Sequence, residues 1–154
     1  MKLLVSACLL GEPCRYDGRS KPCEAILKLG EIHRLIPICP EVMGGLPTPR
    51  AASELQSDGS VRNREGKDVT AEYRGGAESV LAVAKAEGCS VAILKEKSPA
   101  CGSGRIYDGT FSGTLTDGDG VCAALLKQNG IRVLGETEVS EVLLSELDSD
   151  LENA

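Results

Sequence analysis

The sequence predicts an α/β fold: an open, mainly parallel four-stranded sheet with helices on both faces. Three observations lead there. Strand-length apolar runs alternate with helix-period segments in the order β-α-β-loop-α-β-loop-α-β-α, which suits a parallel sheet joined by helical crossovers. The run Val91-Ala92-Ile93-Leu94 is apolar throughout, as a strand buried on both faces has to be. At 154 residues the chain has the size of one domain with its own core.

Lys2 to Ala7 is the first strand, too short in its apolar stretch for a signal peptide and running straight into turn-rich sequence. Ser20 and Pro22 announce a helix through Ala25, Ile26 and Leu29, stopped by Gly30. Arg34 to Ile38 is the second strand, broken by Pro40. Apolar density then drops, and Gly44-Gly45, Pro47, Pro49, Asp58-Gly59 and Glu65-Gly66 mark a loop or small hairpin insertion over 43–69, long enough to suggest a functional role. Thr70 is placed to cap a helix whose Tyr73, Ala77, Val80, Leu81 and Ala84 follow the 3.6-residue period, with Gly88 as its stop. Ser90 to Lys95 is the third strand. Six glycines from Gly102 to Gly120 then read as successive turns or a hairpin folding over the sheet's rim. Val121 to Gln128 is a helix ended by Asn129-Gly130, and Ile131 to Leu134 is the fourth strand. Val139, Val142, Leu143 and Leu147 line one face of a last helix. The expectation is a Rossmann-like three-layer single domain over 1–154, with an acidic C-terminal helix and tail over 136–154.

Composition narrows the function. With one Phe, three Tyr and no Trp, the core has to be built from Leu, Ile, Val and Ala. No apolar run approaches the roughly 18 residues that span a bilayer, so no membrane role and a cytoplasmic location are expected. The net charge of −6 belongs to the tail: residues 136–154 hold seven acids and no base, leaving 16 acids against 17 bases elsewhere. Without a basic patch, nucleic-acid binding is not expected. Seven cysteines are an odd number, without the dense spacing of a disulfide scaffold. In a reducing compartment they are buried, metal-bound or catalytic.

Cys8, Cys39 and Cys101 each follow the carboxyl end of a predicted strand, where an open parallel sheet binds ligands. A lone cysteine so placed is usually a small buried hydrophobe. Three together suggest a soft-metal site, with iron–sulfur, zinc or copper(I) as alternatives. Zinc structural sites usually carry Cys-x-x-Cys pairs, absent from this chain, whereas iron–sulfur clusters tolerate scattered thiolates. Cys14 shares a loop with Cys8 and is the rival ligand. Cys23, Cys89 and Cys122 read as packing residues. His33, the only histidine, precedes the second strand, a strand length of about 17 Å from the cysteine rim, which argues against a Cys-His dyad. Any acid or base is then another group. Glu41 leads as proton carrier and Asp17 follows, although Asp17-Gly18 also makes an ordinary turn. Ser98 can hydrogen-bond a substrate or cap the turn before Pro99. Arg15, Arg50 and Arg105 fall on rim loops and can anchor a polar ring. Gly102-Ser103-Gly104 opens like a dinucleotide fingerprint but lacks the third glycine.

Ala7-Cys8-Leu9-Leu10-Gly11, Cys14-Arg15-Tyr16-Asp17-Gly18, Cys39-Pro40-Glu41-Val42, Gly44-Gly45-Leu46-Pro47-Thr48-Pro49-Arg50, Ser98-Pro99-Ala100-Cys101-Gly102 and Ile106-Tyr107-Asp108-Gly109-Thr110-Phe111 together resemble the thiouracil desulfidase family, a widespread bacterial family formerly catalogued as a domain of unknown function. The resemblance covers about residues 1–135. It implies a [4Fe-4S] cluster held by Cys8, Cys39 and Cys101 with one iron open, and Glu41 and Ser98 as catalytic groups; from their own positions on the loops, Arg15, Asp17 and Arg50 are expected about the substrate. The resemblance also implies non-redox removal of sulfur, as sulfide, from a small thiolated nucleobase such as thiouracil. The competing expectations are a non-catalytic iron–sulfur or metal carrier and a zinc-stabilised structural domain.

Overall fold

The computed structural model describes residues 1–140 and 144–146. Of the acidic segment expected over 136–154, residues 141–143 and 147–154, with Val142, Leu143 and Leu147, lie outside the described residues. Four parallel strands form the sheet: β1 (Lys2–Ser6), β2 (Arg34–Ile38), β5 (Val91–Leu94) and β8 (Arg132–Gly135), in the order β2-β1-β5-β8. Side chains alternate between its faces. Leu4, Ile38, Ala92, Leu94 and Val133 pack on one side with α3 (Thr70–Glu87) and α4 (Val121–Gln128). Leu3, Val5, Val91, Ile93 and Leu134 pack on the other with Ile26 and Leu29 of α1 (Glu24–Leu29). Leu3, Leu4 and Val5 are all fully buried, which is why β1 reads as an unbroken apolar run. Pro37 sits in β2, an edge strand, where its missing N–H is tolerated. Among the described residues no helix is long and apolar enough to cross a membrane.

Between β2 and α3 the chain makes the short helix α2 (Pro40–Met43) and the antiparallel pair β3 (Ser53–Leu55) and β4 (Val61–Asn63). The glycine-dense stretch folds into a second antiparallel pair, β6 (Arg105–Tyr107) and β7 (Leu115–Asp117). In α3 the buried Tyr73, Ala77, Val80 and Ala84 follow the expected period, and Gly88 stops the helix in a left-handed conformation. One expectation is corrected. Thr70 is not the cap of α3 but its first residue. Its hydroxyl accepts the Val61 N–H at 2.9 Å, while Asp68 accepts the Thr70 N–H at 2.9 Å. The threonine oxygen is taken by β4, nine residues back, which helix-start patterning does not register.

A glycine contact decides where α2 sits. A Cβ on Gly76 would lie 1.9 Å from the Pro40 carbonyl oxygen, and one on Gly44 would lie 2.0 Å from the Glu72 carbonyl oxygen. The two backbones meet with no room for a side chain, and that contact seats the turn carrying Cys39 and Glu41 against α3.

Candidate functional site

Parallel strands ending on one rim place three turns around a common space. Cys8 lies in the 3-10 turn Ala7–Leu10 directly after β1. Its carbonyl accepts the N–H groups of Gly11 at 3.3 Å and Lys21 at 2.9 Å, so the returning loop is stitched onto it. Cys39 ends β2 and begins α2. Cys101 follows β5 in a turn whose amides are occupied: Ser98 Oγ accepts the N–H groups of Ala100 and Cys101, each at 3.1 Å, and Ser98 O accepts the Gly102 N–H at 2.9 Å. The same turn receives α4, whose Val121 and Cys122 N–H groups bond the Pro99 and Ala100 carbonyls, both at 2.9 Å. Gly120 makes this approach possible, since a Cβ there would lie 2.5 Å from the Ala100 carbonyl carbon.

All three cysteines line one cavity of about 460 Å³, together with Glu41, Ser98 and Arg15. This is within the range of small-ligand sites, roughly 300–1,000 Å³. The cysteines are free, Cys8 and Cys101 buried and Cys39 half-buried. The Cys14 thiol reaches the same wall and interacts with those of both Cys39 and Cys8. Among the described residues no three Cys, His, Asp or Glu side chains converge tightly enough for a single metal ion. A polynuclear cluster differs in that each thiolate binds its own iron, so the sulfurs stand further apart. Three thiols on one cavity wall, without histidine, are the donor set such a cluster takes.

The other expected residues separate. Arg50 lies behind the wall, its side chain 6% exposed. It donates to Glu41 Oε2 at 2.6 Å and to the Cys14 carbonyl at 3.0 Å, with further bonds to Pro47 O and Thr48 Oγ1. It joins the Cys14 loop, the 47–50 loop and α2 at one point. Asp17 is exposed and lies off the cavity wall, its carboxylate accepting the Arg19 N–H at 3.0 Å. Arg105 is an exposed residue of β6 facing Asp117 at 3.9 Å. His33 stands before β2, beside the N-terminal amine at 3.2 Å.

Two residues beside the cavity, Glu54 and Ser6, were not among those expected from the sequence. Glu54, 8% exposed, accepts the Gly109 and Phe111 N–H groups at 2.9 and 3.1 Å, tying the β3–β4 pair to the β6–β7 loop beside the cavity. Ser6, 3% exposed, accepts the Lys95 N–H at 2.9 Å and donates to Cys101 Sγ at 3.5 Å. Its signal was a hydroxyl closing a fully apolar strand, a placement that asks for a buried partner.

Burial helps to raise the thiols of Cys14, Cys39, Cys101 and Cys122 in the metal-free protein. That of Cys101 is raised well above the ordinary range, chiefly by loss of solvent. Cys39 is raised by its bond to Cys14 and then by burial. For Cys14 the bond from Cys39 pulls down, but the Cys8 bond and burial outweigh it and carry the thiol up to about 11. Cys122, fully buried in α4, is pushed up to about 12 by burial. A thiol raised in the folded state favours the protonated, folded form. Its contribution is intact below the unfolded value of 9.0 and is lost as pH rises toward 12. The denaturant midpoint of the metal-free protein is therefore expected to hold below pH 9 and to fall steadily above it. Cys122→Ala should flatten that slope, and a slope unchanged by the substitution counts against this origin.

The comparisons with known proteins agree with the geometry. The 2-thiouracil desulfurase family model matches residues 3–138. An uncharacterised protein of Bacillus subtilis (strain 168), YbbK, is 45% identical over 92% of this chain and 99% of its own length. The solved structure of TudS, a [4Fe-4S]-dependent thiouracil desulfidase, superposes with a TM-score of 0.85 at 48% identity, covering 94% of this chain and 96% of that one.

Proposed function

The chain belongs to the 2-thiouracil desulfurase family, and from that premise we infer that it is a [4Fe-4S]-dependent desulfidase removing sulfur from a thiolated pyrimidine such as thiouracil. Cys8, Cys39 and Cys101 hold the cluster in this reading. The observation that carries it is that three free cysteines, each following a strand end, line one cavity.

The reaction replaces C=S by C=O. Water supplies the oxygen and two protons, sulfide leaves, and no oxidant or reductant is consumed. When bound, a cluster with one iron open to solvent supplies a Lewis acid with high affinity for the departing sulfur. The protein's own groups do the rest. Glu41 reaches the cavity with Oε2 held by Arg50, so the carboxylate is fixed in place and Oε1 can take a proton from attacking water. Ser98 has spent its acceptor capacity on two amides. Its hydroxyl proton remains, and it donates to a ring oxygen or nitrogen. Arg15 lines the cavity and is the proposed ring anchor, while Arg50 acts through Glu41. Asp17, off the cavity wall, serves the turn that presents Arg15. Residues 1–154 act as one domain, with 43–69 as the insertion that brings Arg50 to Glu41. Free cysteines and a cluster of this kind suit the cytoplasm, with no nucleic acid or membrane as partner.

Anaerobic reconstitution followed by incubation with thiouracil tests the reading. The expected result is about four irons per chain and one sulfide released per uracil formed. Protein that holds the irons, releases no sulfide from any thiopyrimidine and passes its cluster to an apo-acceptor would be a carrier instead. One zinc without labile sulfide would make the domain structural.

A further inference from the structure

Cys101 is the most enclosed of the three proposed ligands, 4% exposed, and its sulfur has a hydrogen-bond donor from outside its own turn. That donor is Ser6, the last residue of β1, also buried at 3%. The serine oxygen accepts the amide proton of Lys95, the residue after β5, at 2.9 Å. The side chain thus continues the β1–β5 pairing beyond the last strand residue of β5, and the sheet itself fixes where the oxygen sits. A hydroxyl has one proton. With the oxygen held by the Lys95 amide, that proton points along the 3.5 Å line to Cys101 Sγ. The Cys101 backbone is held independently by Ser98 Oγ, so main chain and sulfur are positioned from two different strand ends.

We propose that Ser6 is a positioning residue for the Cys101 ligand, orienting its sulfur toward the cavity and donating a hydrogen bond to it when it is coordinated. The idea rests on the reading of Cys101 as a cluster ligand. A coordinated thiolate is a far better acceptor than a thiol, so the bond strengthens on loading. It also withdraws electron density from the sulfur. Hydrogen bonds to ligand sulfurs are among the factors that set a cluster's reduction potential. A poorer thiolate donor leaves the cluster as a whole poorer in electrons, its open iron included.

The test compares anaerobically reconstituted wild-type protein, Ser6→Ala and Ser6→Thr. Iron and sulfide content, reduction potential and the iron–sulfur stretching bands in H2O and D2O are measured, none of which depends on turnover. The wild type should show a deuterium-sensitive iron–thiolate band. Ser6→Ala, at equal iron content, should lose that deuterium sensitivity and shift to a lower potential, and Ser6→Thr should restore both. If Ser6→Ala does not fold, Ser6→Val against Ser6→Thr makes the comparison at matched shape, hydroxyl against methyl. The proposal is overturned if the wild-type bands ignore deuterium, or if an iron-replete variant without the hydroxyl keeps the wild-type potential and bands. Failure of the underlying reading looks different: Cys101→Ala would then keep a full complement of iron.

Discussion

Cys8→Ala, Cys39→Ala and Cys101→Ala are each expected to lose the cluster and, with it, activity by about 100-fold or more, beyond what loss of a supporting residue costs. Cys14→Ala should keep iron and turnover. The contrast tests the ligand set sharply because the Cys14 thiol lies against those of both Cys39 and Cys8. What separates it is its mounting. Cys8 and Cys39 lie within two residues of a strand end and Cys101 sits in the turn held by Ser98, whereas Cys14 lies further along the loop after β1, its amide on Glu12 O at 2.8 Å and its carbonyl held by Arg50. Three ligands leave one iron open to substrate, and four close the site to it. Anaerobic iron and sulfide quantification on all four variants checks this. Iron lost on Cys14→Ala would show that the fourth thiol is a ligand and would remove the open position on which catalysis depends.

The second large effect is Arg50→Ala, expected to destabilise the metal-free protein by about 3–5 kcal/mol, the usual cost of removing one partner of a buried ion pair. The pair earns that magnitude by geometry: a 2.6 Å contact with side chains only 6% and 14% exposed. Without Arg50 the Glu41 carboxylate stays in a mostly dry setting without its counter-ion, and the Cys14 carbonyl loses its side-chain donor. Arg50→Lys should rescue only in part, because an ammonium lacks the planar fork that serves several acceptors at once. The double variant Arg50→Ala with Glu41→Ala should recover stability over the single one yet stay inactive, since the uncompensated charge is gone and so is the proton acceptor. Urea unfolding of the metal-free proteins provides the measurement. A loss below about 1 kcal/mol would place the pair with exposed salt bridges and argue against Arg50 as the fixed point behind Glu41.

Much of the fold could be read directly because its signals are local. Val91–Leu94, Arg34–Ile38 and Val121–Gln128 lie where apolar runs, Pro40 and Asn129-Gly130 placed them. The β6–β7 pair was open between turns and a hairpin, since six glycines permit both and only the pairing of Ile106 with Thr116 decides. The helix start at Thr70 went astray because the threonine oxygen bonds β4. Arg50 looked like a substrate anchor from its rim loop. Nothing in its neighbours in sequence reveals that it turns inward, nine residues back, to Glu41.

From the sequence alone came the parallel sheet, the placement of three cysteines after three strands and their family resemblance, because strand period, chain breaks and motif spacing are written residue by residue. Tertiary structure alone decided that Ser6 bonds Cys101, that Arg50 backs Glu41 and that Gly44 and Gly76 seat the Cys39 turn. Those are contacts between segments nine to 95 residues apart. Their partners are chosen by how layers pack and by which buried polar groups still need a hydrogen bond, and neither is visible until the chain has folded.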